Sequence, residues 1–154
     1  MIEDMVYEVA LEFRNGIIKA NLNGEFKNDG FIERFPNGNC GIVCNLFGRY
    51  LLERYGIRSW YTSGEIRNDS HVWLTLEDDC IVDITGDQYK NRLGIMFYDK
   101  PIYVGKMDMF HKRFKLNGKP VEITPNDWTT DWLGEDDLQL KNRKAYEIIL
   151  KYIK

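Results

Sequence analysis

The sequence is poor in cysteine and histidine and has no long apolar run. It contains three Cys and two His among 154 residues, and no two cysteines have the C-x-x-C spacing. An odd number of scattered cysteines disfavours a disulfide framework, and so few sulfur and imidazole ligands disfavour a structural zinc site. We therefore expect no metal and no cofactor, and a reducing compartment such as the cytoplasm, where thiols stay free.

Membrane segments, a secretory leader and nucleic-acid binding are not indicated either. No apolar run approaches the ~20 residues that span a bilayer, and the acidic start, with Glu3 and Asp4, lacks the features of a secretory signal. A formal charge of −3 gives no electrostatic reason to expect a nucleic-acid partner. The length and the ordinary share of apolar residues predict a single domain over 1–154.

Hydrophobic periodicity predicts an α+β fold with helices at both ends and one in the middle. An amphipathic helix is expected over 2–14, ending at Asn15-Gly16, and a terminal helix over 136–153. Between them, 40–55 carries a broad apolar stripe, which is typical of a buried central helix. Residues 17–39 lack a clear period and predict a loop with short ordered pieces that could form one wall of a cleft.

The remaining apolar segments predict a mostly antiparallel sheet. Strands are expected over 57–64, 71–76, 80–85, 95–98 and 102–104, with a polar connection over 65–70 and a loop over 86–91. Residues 105–135 are rich in turn formers, and we expect them to form edge structure and surface covering.

Three residues stand in the settings that a cysteine nucleophile needs. Cys40 follows a Gly/Asn-rich loop and opens the central helix, where unpaired N–H groups and the helix dipole favour a thiolate. His71 could take the thiol proton, and Asp83 could orient the imidazole. The N–H of Cys40 could supply one oxyanion donor; a second is not evident, and Asn37 and Asn39 are candidates.

His71 and Asp83 lie on two predicted strands joined by an acidic turn. Because side chains alternate between the two faces of a strand, the two residues share a face only if the loop has an odd number of residues. Pairing Leu76 with Cys80 around 77–79 meets this condition, whereas a two-residue turn would put them on opposite faces. The triad therefore predicts a three-residue loop.

The other sulfur and imidazole side chains fit the chemistry less well. Cys44 follows Cys40 by one helical turn and could border the cleft or belong to the core, but it lies beyond the unpaired N–H groups. Cys80 is interpreted as a small buried hydrophobe. His111 stands in a weakly structured context and is the poorer base.

Two further residues are candidates to line the cleft. Trp73 is more typical of a core residue, although its position two residues after His71 would let it shield the imidazole–carboxylate bond from water. Gln88 belongs to the run after the Asp83 strand; a turn is the ordinary interpretation of that run, but it could face the cleft.

The segment from Gly38 to Thr85, about a third of the chain, resembles the core of the transglutaminase-like cysteine enzyme superfamily, which is related to papain-type folds. The pattern is a Cys at a helix start, a helix ending before Gly-Ile, a strand ending in Ser-Gly, a His-x-Trp strand and a strand with Asp-x-Thr. The matching residues are Cys40, Gly56-Ile57, Ser63-Gly64, His71-Val72-Trp73 and Asp83-Ile84-Thr85.

The resemblance implies a papain/transglutaminase-like core, in which the helix with Cys40 at its N terminus packs on a mostly antiparallel sheet. It also implies that Cys40 is the nucleophile, His71 the general base and acid, and Asp83 the orienting residue. Val72 and Ile84 stand where the family more often has Ala and Pro. No upstream Gln or Trp maps onto the family's oxyanion position.

We therefore expect thiol-dependent acyl chemistry on an amide bond of a protein or peptide, as in a cysteine peptidase, an amidase or a glutamine deamidase. Transfer of the acyl group to an amine, as in transglutaminases or N-acetyltransferases, is an alternative that shares the first half of the chemistry. A phage- or toxin-associated modifier of host proteins would use the same chemistry on a different partner. A non-catalytic binding protein on the same fold is the alternative from another class.

Overall fold

The computed structural model describes residues 2–30, 32–37, 40–67, 69–90, 98–125 and 136–153. Over these residues the fold is α+β. The helices are α1 (Ile2–Leu22), α2 (Cys40–Tyr55), α3 (Met109–Lys112) and α4 (Asp136–Lys151). The strands are β1 (Ser59–Ile66), β2 (Asp69–Leu76), β3 (Ile81–Asp83), β4 (Tyr103–Gly105), β5 (Lys115–Leu116) and β6 (Val121–Glu122).

These strands form one sheet in which every pair is antiparallel, in the order β4-β3-β2-β1-β5, with β6 also paired to β1. Both faces of its centre are buried. Even-numbered residues such as Val72 and Leu74 face the main core with α2, whereas Trp73 and Ile81 belong to a second, aromatic cluster. This alternation follows from the period of two along a strand. It places His71 among the aromatic rings of the second cluster.

The prediction of a buried central helix is confirmed by α2, which spans Cys40–Tyr55. The residues from Gly41 to Leu51 are all buried. Gly48 lets the helix approach the sheet closely, because a Cβ there would collide with Ile123. The helix is therefore fixed on several sides, and its first residue is held in one place.

The predicted end of the first helix at Asn15-Gly16 is wrong, since α1 continues to Leu22. Gly16 is buried against the end of the chain, and a Cβ at this position would lie 2.8 Å from Ile153 Cγ1. The glycine therefore serves close packing of helices and not helix termination. Residues 17–22, predicted as loop, are accordingly helical, and a short 3-10 helix spans Ile32–Arg34.

The hairpin of β1 and β2 differs in extent from its prediction. β1 starts at Ser59 and runs past Gly64 to Ile66, and β2 already begins at Asp69. Polar residues 65 and 70, predicted as connection, pair across the ladder. Backbone hydrogen bonds extend the ladder there although the side chains are polar. A strand predicted from apolar side chains therefore ends too early.

Leu76 and Cys80 pair and close the hairpin of β2 and β3 around a loop of three residues, 77–79, as the triad predicts. The N–H of Leu76 donates to Cys80 O at 2.8 Å, and Leu74 pairs with Val82. Asp79 closes the loop with a φ of 65°, a left-handed conformation that Asp tolerates. The strand itself is shorter than predicted, since β3 ends at Asp83.

Residues 105–135 are only in part edge structure. β5 and β6 do lie along one edge of the sheet, beside β1. The segment around α3 is not surface covering, because Phe110, His111 and Phe114 are buried. Residues 126–135 lie outside the described residues.

Four further predictions concern the second half of the chain. The predicted strand over 102–104 is β4, shifted by one residue, and the predicted loop over 86–91 contains a 3-10 helix at Gly86–Tyr89. The predicted strand over 95–98 lies outside the described residues except for Tyr98, which is not in a strand. The terminal helix α4 ends at Lys151.

Across the described ranges, we find no helix that combines the length and apolarity needed to cross a membrane.

Candidate active site

His71 and Asp83 meet across the β2–β3 hairpin. The register that pairs Leu74 with Val82 places Asp83 opposite Trp73, so His71 is its diagonal neighbour. His71 Nε2 and Asp83 Oδ2 are 2.6 Å apart, and both side chains are fully buried. The predicted sharing of one face is therefore confirmed.

Each oxygen of the Asp83 carboxylate has hydrogen-bond donors. Oδ1 accepts from the N–H of Thr85 at 2.9 Å, and Oδ2 accepts from His71 and from His111. Burial would raise the pKa of Asp83, but the charge of His71 and the hydrogen bonds from His111 and His71 hold that pKa well below its usual range. Asp83 is thus an ionised carboxylate in the interior.

The other ring nitrogen of His71 faces the functional end of the site. Its Nδ1 lies 3.3 Å from Gln88 Nε2, and the ring also forms a hydrogen bond with the Cys40 thiol. Burial would lower the pKa of His71, but the charge of Asp83 and the contacts with Asp83 and Cys40 raise it to about 10. The imidazole is therefore charged over the physiological range.

Cys40 is the first residue of α2 and keeps part of its surface exposed. Burial would raise the pKa of its thiol, but the hydrogen bond with His71, the charge of His71 and the N–H of Val72 together lower it. A thiolate paired with an imidazolium is the reactive form of a cysteine nucleophile. The site therefore holds a negative sulfur, a positive imidazole and a negative carboxylate, in that order.

The other two cysteines are in environments that suppress thiolate. Cys44 is buried, its Sγ donates to Val72 O at 3.4 Å, and burial with the charges of Cys40 and Asp83 raises its pKa well above normal. Burial and hydrogen bonds with Glu3 and Asp78 raise the pKa of Cys80 to about 12. The choice of Cys40 over Cys44 agrees with these environments.

His111 is the residue that sequence reasoning missed. Its ring is fully buried, with Nε2 2.7 Å from Asp83 Oδ2 and Nδ1 2.6 Å from Asp108 Oδ1. The expectation of a weakly structured context is wrong, because Asp108 caps α3 by accepting from the N–H of His111. A capping Asp three residues before the His, with Phe110 and Phe114 at helical spacing, was the available signal.

Of the remaining candidates, Gln88 lies in the site and Asn37 does not. Gln88 is buried beside His71, and its Nε2 donates to Thr85 O at 3.1 Å, which fixes the amide. Asn37 is exposed, and its N–H already donates to Arg34 O at 2.8 Å. Asn39 lies outside the described residues.

Trp73 is a core residue and not part of a cleft wall. It is fully buried, and its ring centroid lies 5.8 Å from that of His71 and 5.0 Å from that of His111. Apolar rings beside the hydrogen-bonded charges keep the local dielectric low, which strengthens the interactions between them. The expected shielding of the imidazole–carboxylate bond agrees with this position.

A buried arginine fixes the turn that follows Asp83. Arg14 of α1 donates to Ile84 O at 2.6 Å and to Asp87 Oδ2 at 2.7 Å. These bonds tie the first helix to the short 3-10 helix that carries Gln88. The position of Gln88 beside the imidazole therefore depends on a residue 74 positions earlier in the chain.

One group of described residues could be considered for a metal ion. His71, Asp83 and His111 each offer a ligand atom within 4.8 Å of the others. Two ligands of a tetrahedral zinc ion, at ~2.0 to 2.1 Å from the metal, stand about 3.3 Å apart. The N···O distances of 2.6 and 2.7 Å are shorter and are those of charge-assisted hydrogen bonds. We therefore describe these residues as a hydrogen-bonded chain, and the absence of a metal stays a prediction.

Comparisons with protein-family models, with curated proteins and with solved structures gave no match.

Proposed function

We propose that the chain is a cysteine enzyme that cleaves or exchanges an amide bond of a protein or peptide, with hydrolysis preferred over transfer to an amine. One observation carries the proposal: the thiol of Cys40, a half-buried residue at a helix start, contacts an imidazole whose other nitrogen binds a buried carboxylate. This joins a nucleophile, a proton carrier and an orienting group in one chain of contacts.

The residues suit the two halves of acyl chemistry. The Cys40 thiolate attacks the amide carbonyl carbon, a C–S bond forms, and the carbonyl electron pair moves to oxygen. His71 gives its proton to the amide nitrogen as the C–N bond breaks, and the amine leaves. Water then attacks the thioester while His71 accepts a proton, and the thiolate departs as the C–O bond is completed.

Asp83 acts through His71 in this scheme. It holds the ring so that Nδ1 faces Cys40, and it stabilises the imidazolium before and after proton transfer. Thr85 supports the orientation because its N–H binds the second oxygen of the carboxylate. The Asp-x-Thr sequence thus has a structural reason within the proposed mechanism.

The oxyanion would be stabilised by the N–H of Cys40 at the helix start and by a second donor. Gln88 is our candidate for that donor, because its amide nitrogen lies beside the His71 nitrogen that faces Cys40. Gln88→Met, which keeps the side-chain volume but removes the amide, should lower the acylation rate by ~10²-fold. Unchanged acylation would remove Gln88 from this role.

The papain/transglutaminase-like core belongs to the same proposal. Its support is the order of elements: a helix opening with Cys40, then an antiparallel hairpin strand with His71, then a strand with Asp83. The amine acyltransferase alternative uses the same three residues and differs in the acceptor of the acyl group.

The test is selective alkylation of the thiols followed by mapping of the label. With limiting iodoacetamide between pH 4 and 9, Cys40 should react first and well below pH 8, and His71→Ala should abolish this selectivity. Cys44 is the internal control, since it shares the helix but not the contacts. Slow and equal labelling of the accessible thiols would contradict the enzyme and favour a binding protein.

Turnover is tested separately with glutamine-containing peptides. Ammonia release without added amine indicates deamidation, new peptide termini indicate peptidase activity, and incorporation of a labelled amine indicates transfer. Each signal must disappear in Cys40→Ser. Turnover that persists in Cys40→Ser would refute the assignment of the nucleophile.

A further inference from the structure

We propose that His111 is a positioning residue of this site, which holds Asp83 ionised and aimed at His71, and that Asp108 anchors His111 from the opposite side. This inference rests on the proposed function, because it assigns a role within the same chain of groups. It extends the three residues to five: Cys40, His71, Asp83, His111 and Asp108.

Both nitrogens of the His111 ring lie within hydrogen-bond distance of carboxylate oxygens. Nε2 lies 2.7 Å from Asp83 Oδ2, and Nδ1 lies 2.6 Å from Asp108 Oδ1. An ionised carboxylate oxygen can only accept, so each ring nitrogen must carry a hydrogen. This is the pattern of a doubly protonated ring, and its positive charge acts on Asp83.

Both imidazoles bind the same oxygen of Asp83. His71 Nε2 and His111 Nε2 lie 2.6 and 2.7 Å from Oδ2 of Asp83, and all three side chains are fully buried. A buried carboxylate without enough donors would take up a proton. The second imidazole therefore keeps the charge that His71 needs and also restricts rotation of the carboxylate.

The start of α3 holds His111 in place through Asp108. Asp108 Oδ1 accepts from both the backbone N–H of His111, at 2.9 Å, and its ring. Burial would raise the pKa of Asp108, but these hydrogen bonds and the charge of His111 lower it. Asp108 Oδ1 thus caps the N terminus of α3 and also orients the His111 ring.

The groups that face His111 come from five elements or segments. They are Asp83 on β3, His71 on β2, Asp108 before α3, and the rings of Tyr98 and Tyr103. Burial, followed by the charge of Asp108, raises the pKa of both tyrosines, so they stay neutral. Lys100 lies over both tyrosine rings, 5.9 and 5.2 Å from their centroids.

Removal of the His111 charge has a predictable effect on Cys40. The charge of Asp83 opposes thiolate formation at Cys40. A positive His111 ring, 2.7 Å from Asp83 Oδ2, would offset part of that charge. A replacement that still donates an N–H to Asp83 keeps the carboxylate ionised but removes that offset, so the thiolate is less stable and the pH profile of Cys40 alkylation moves to higher pH. His71 would also hold its proton more tightly, which slows the step that donates it.

The experiment measures the pH profile of Cys40 alkylation by iodoacetamide in the full chain. His111→Gln keeps an N–H donor but removes the charge. We expect the low-pH limb of the Cys40 alkylation profile, called its acid limb, to shift to higher pH by about one unit in this variant. Tyr103→Phe is the matched control, because it removes the hydroxyl from a ring that stacks on His111 without changing charge. Its profile should coincide with that of the wild type.

A second measurement does not depend on folding of a variant. Nitrogen-15 NMR of the wild-type imidazoles at pH 7 should show both His111 ring nitrogens protonated. An unprotonated His111 nitrogen would overturn the inference, as would an unmoved acid limb in a folded His111→Gln protein, even if its melting temperature falls. Failure of the proposed function looks different, since wild-type Cys40 would then lack selective low-pH alkylation.

Discussion

Asp83 Oδ2 and His71 Nε2 are 2.6 Å apart because a three-residue loop puts both side chains on one face of the hairpin. A loop one residue shorter or longer would turn one of them to the other face. The proposed proton carrier and its orienting group are therefore coupled by strand register.

Replacement of Asp83 by Asn tests this coupling. The change keeps the shape of the side chain but removes the charge that raises the pKa of His71. We expect turnover to fall by ~10²- to 10⁴-fold, because orientation and stabilisation of the imidazolium are both weakened. Steady-state kinetics measure the loss, and circular dichroism checks that the fold is retained. A fully active Asp83→Asn protein would exclude Asp83 from the mechanism.

The same replacement should change the acid stability of the fold. The pKa of Asp83 lies well below its usual value in the folded state, so its stabilisation is present above the ordinary Asp range and is lost as the pH falls through the folded pKa. Urea unfolding at pH 7 should show wild type more stable than Asp83→Asn by about 3 kcal/mol. The difference should shrink below about pH 4. A difference that is constant from pH 7 to pH 3 would contradict the assigned direction.

Gly86→Ala should damage the site by crowding. A Cβ at this position would lie 2.5 Å from Tyr98 Cε2 and 3.2 Å from Asp83 Oδ2. We expect a loss of ~1 to 3 kcal/mol in the free energy of unfolding, since the core there has no room for the methyl group. Thermal or urea unfolding measures it. Tyr98→Leu in the same protein should recover part of the loss, and no coupling in this double-mutant cycle would show that the crowding is relieved elsewhere.

Chelation separates the hydrogen-bonded chain from a metal site. Dialysis against EDTA should leave the melting temperature and the Cys40 alkylation rate unchanged, because the short N···O distances are satisfied without an ion. Elemental analysis of the untreated protein is the companion measurement. About one equivalent of zinc, lost on chelation together with several degrees of melting temperature, would contradict this prediction.

The local features of the site could be predicted from the sequence because they depend on neighbouring residues. The apolar period over 40–55 and the preceding Gly/Asn loop predict a helix that begins at Cys40, and α2 does begin there. The positions of His71 and Asp83 around 77–79 predict one face and a three-residue loop, because side-chain alternation and loop parity are properties of the chain itself.

Tertiary packing decided the rest. Gly16, which follows Asn15, is typical of a helix end, yet α1 continues because the terminal segment packs against that glycine. His111 is 28 residues from Asp83, and only the docking of α3 against the aromatic cluster brings its ring to the carboxylate. Sequence patterns encode period and turn chemistry, whereas contacts between distant segments depend on which buried surfaces fit together, and no local pattern carries that information.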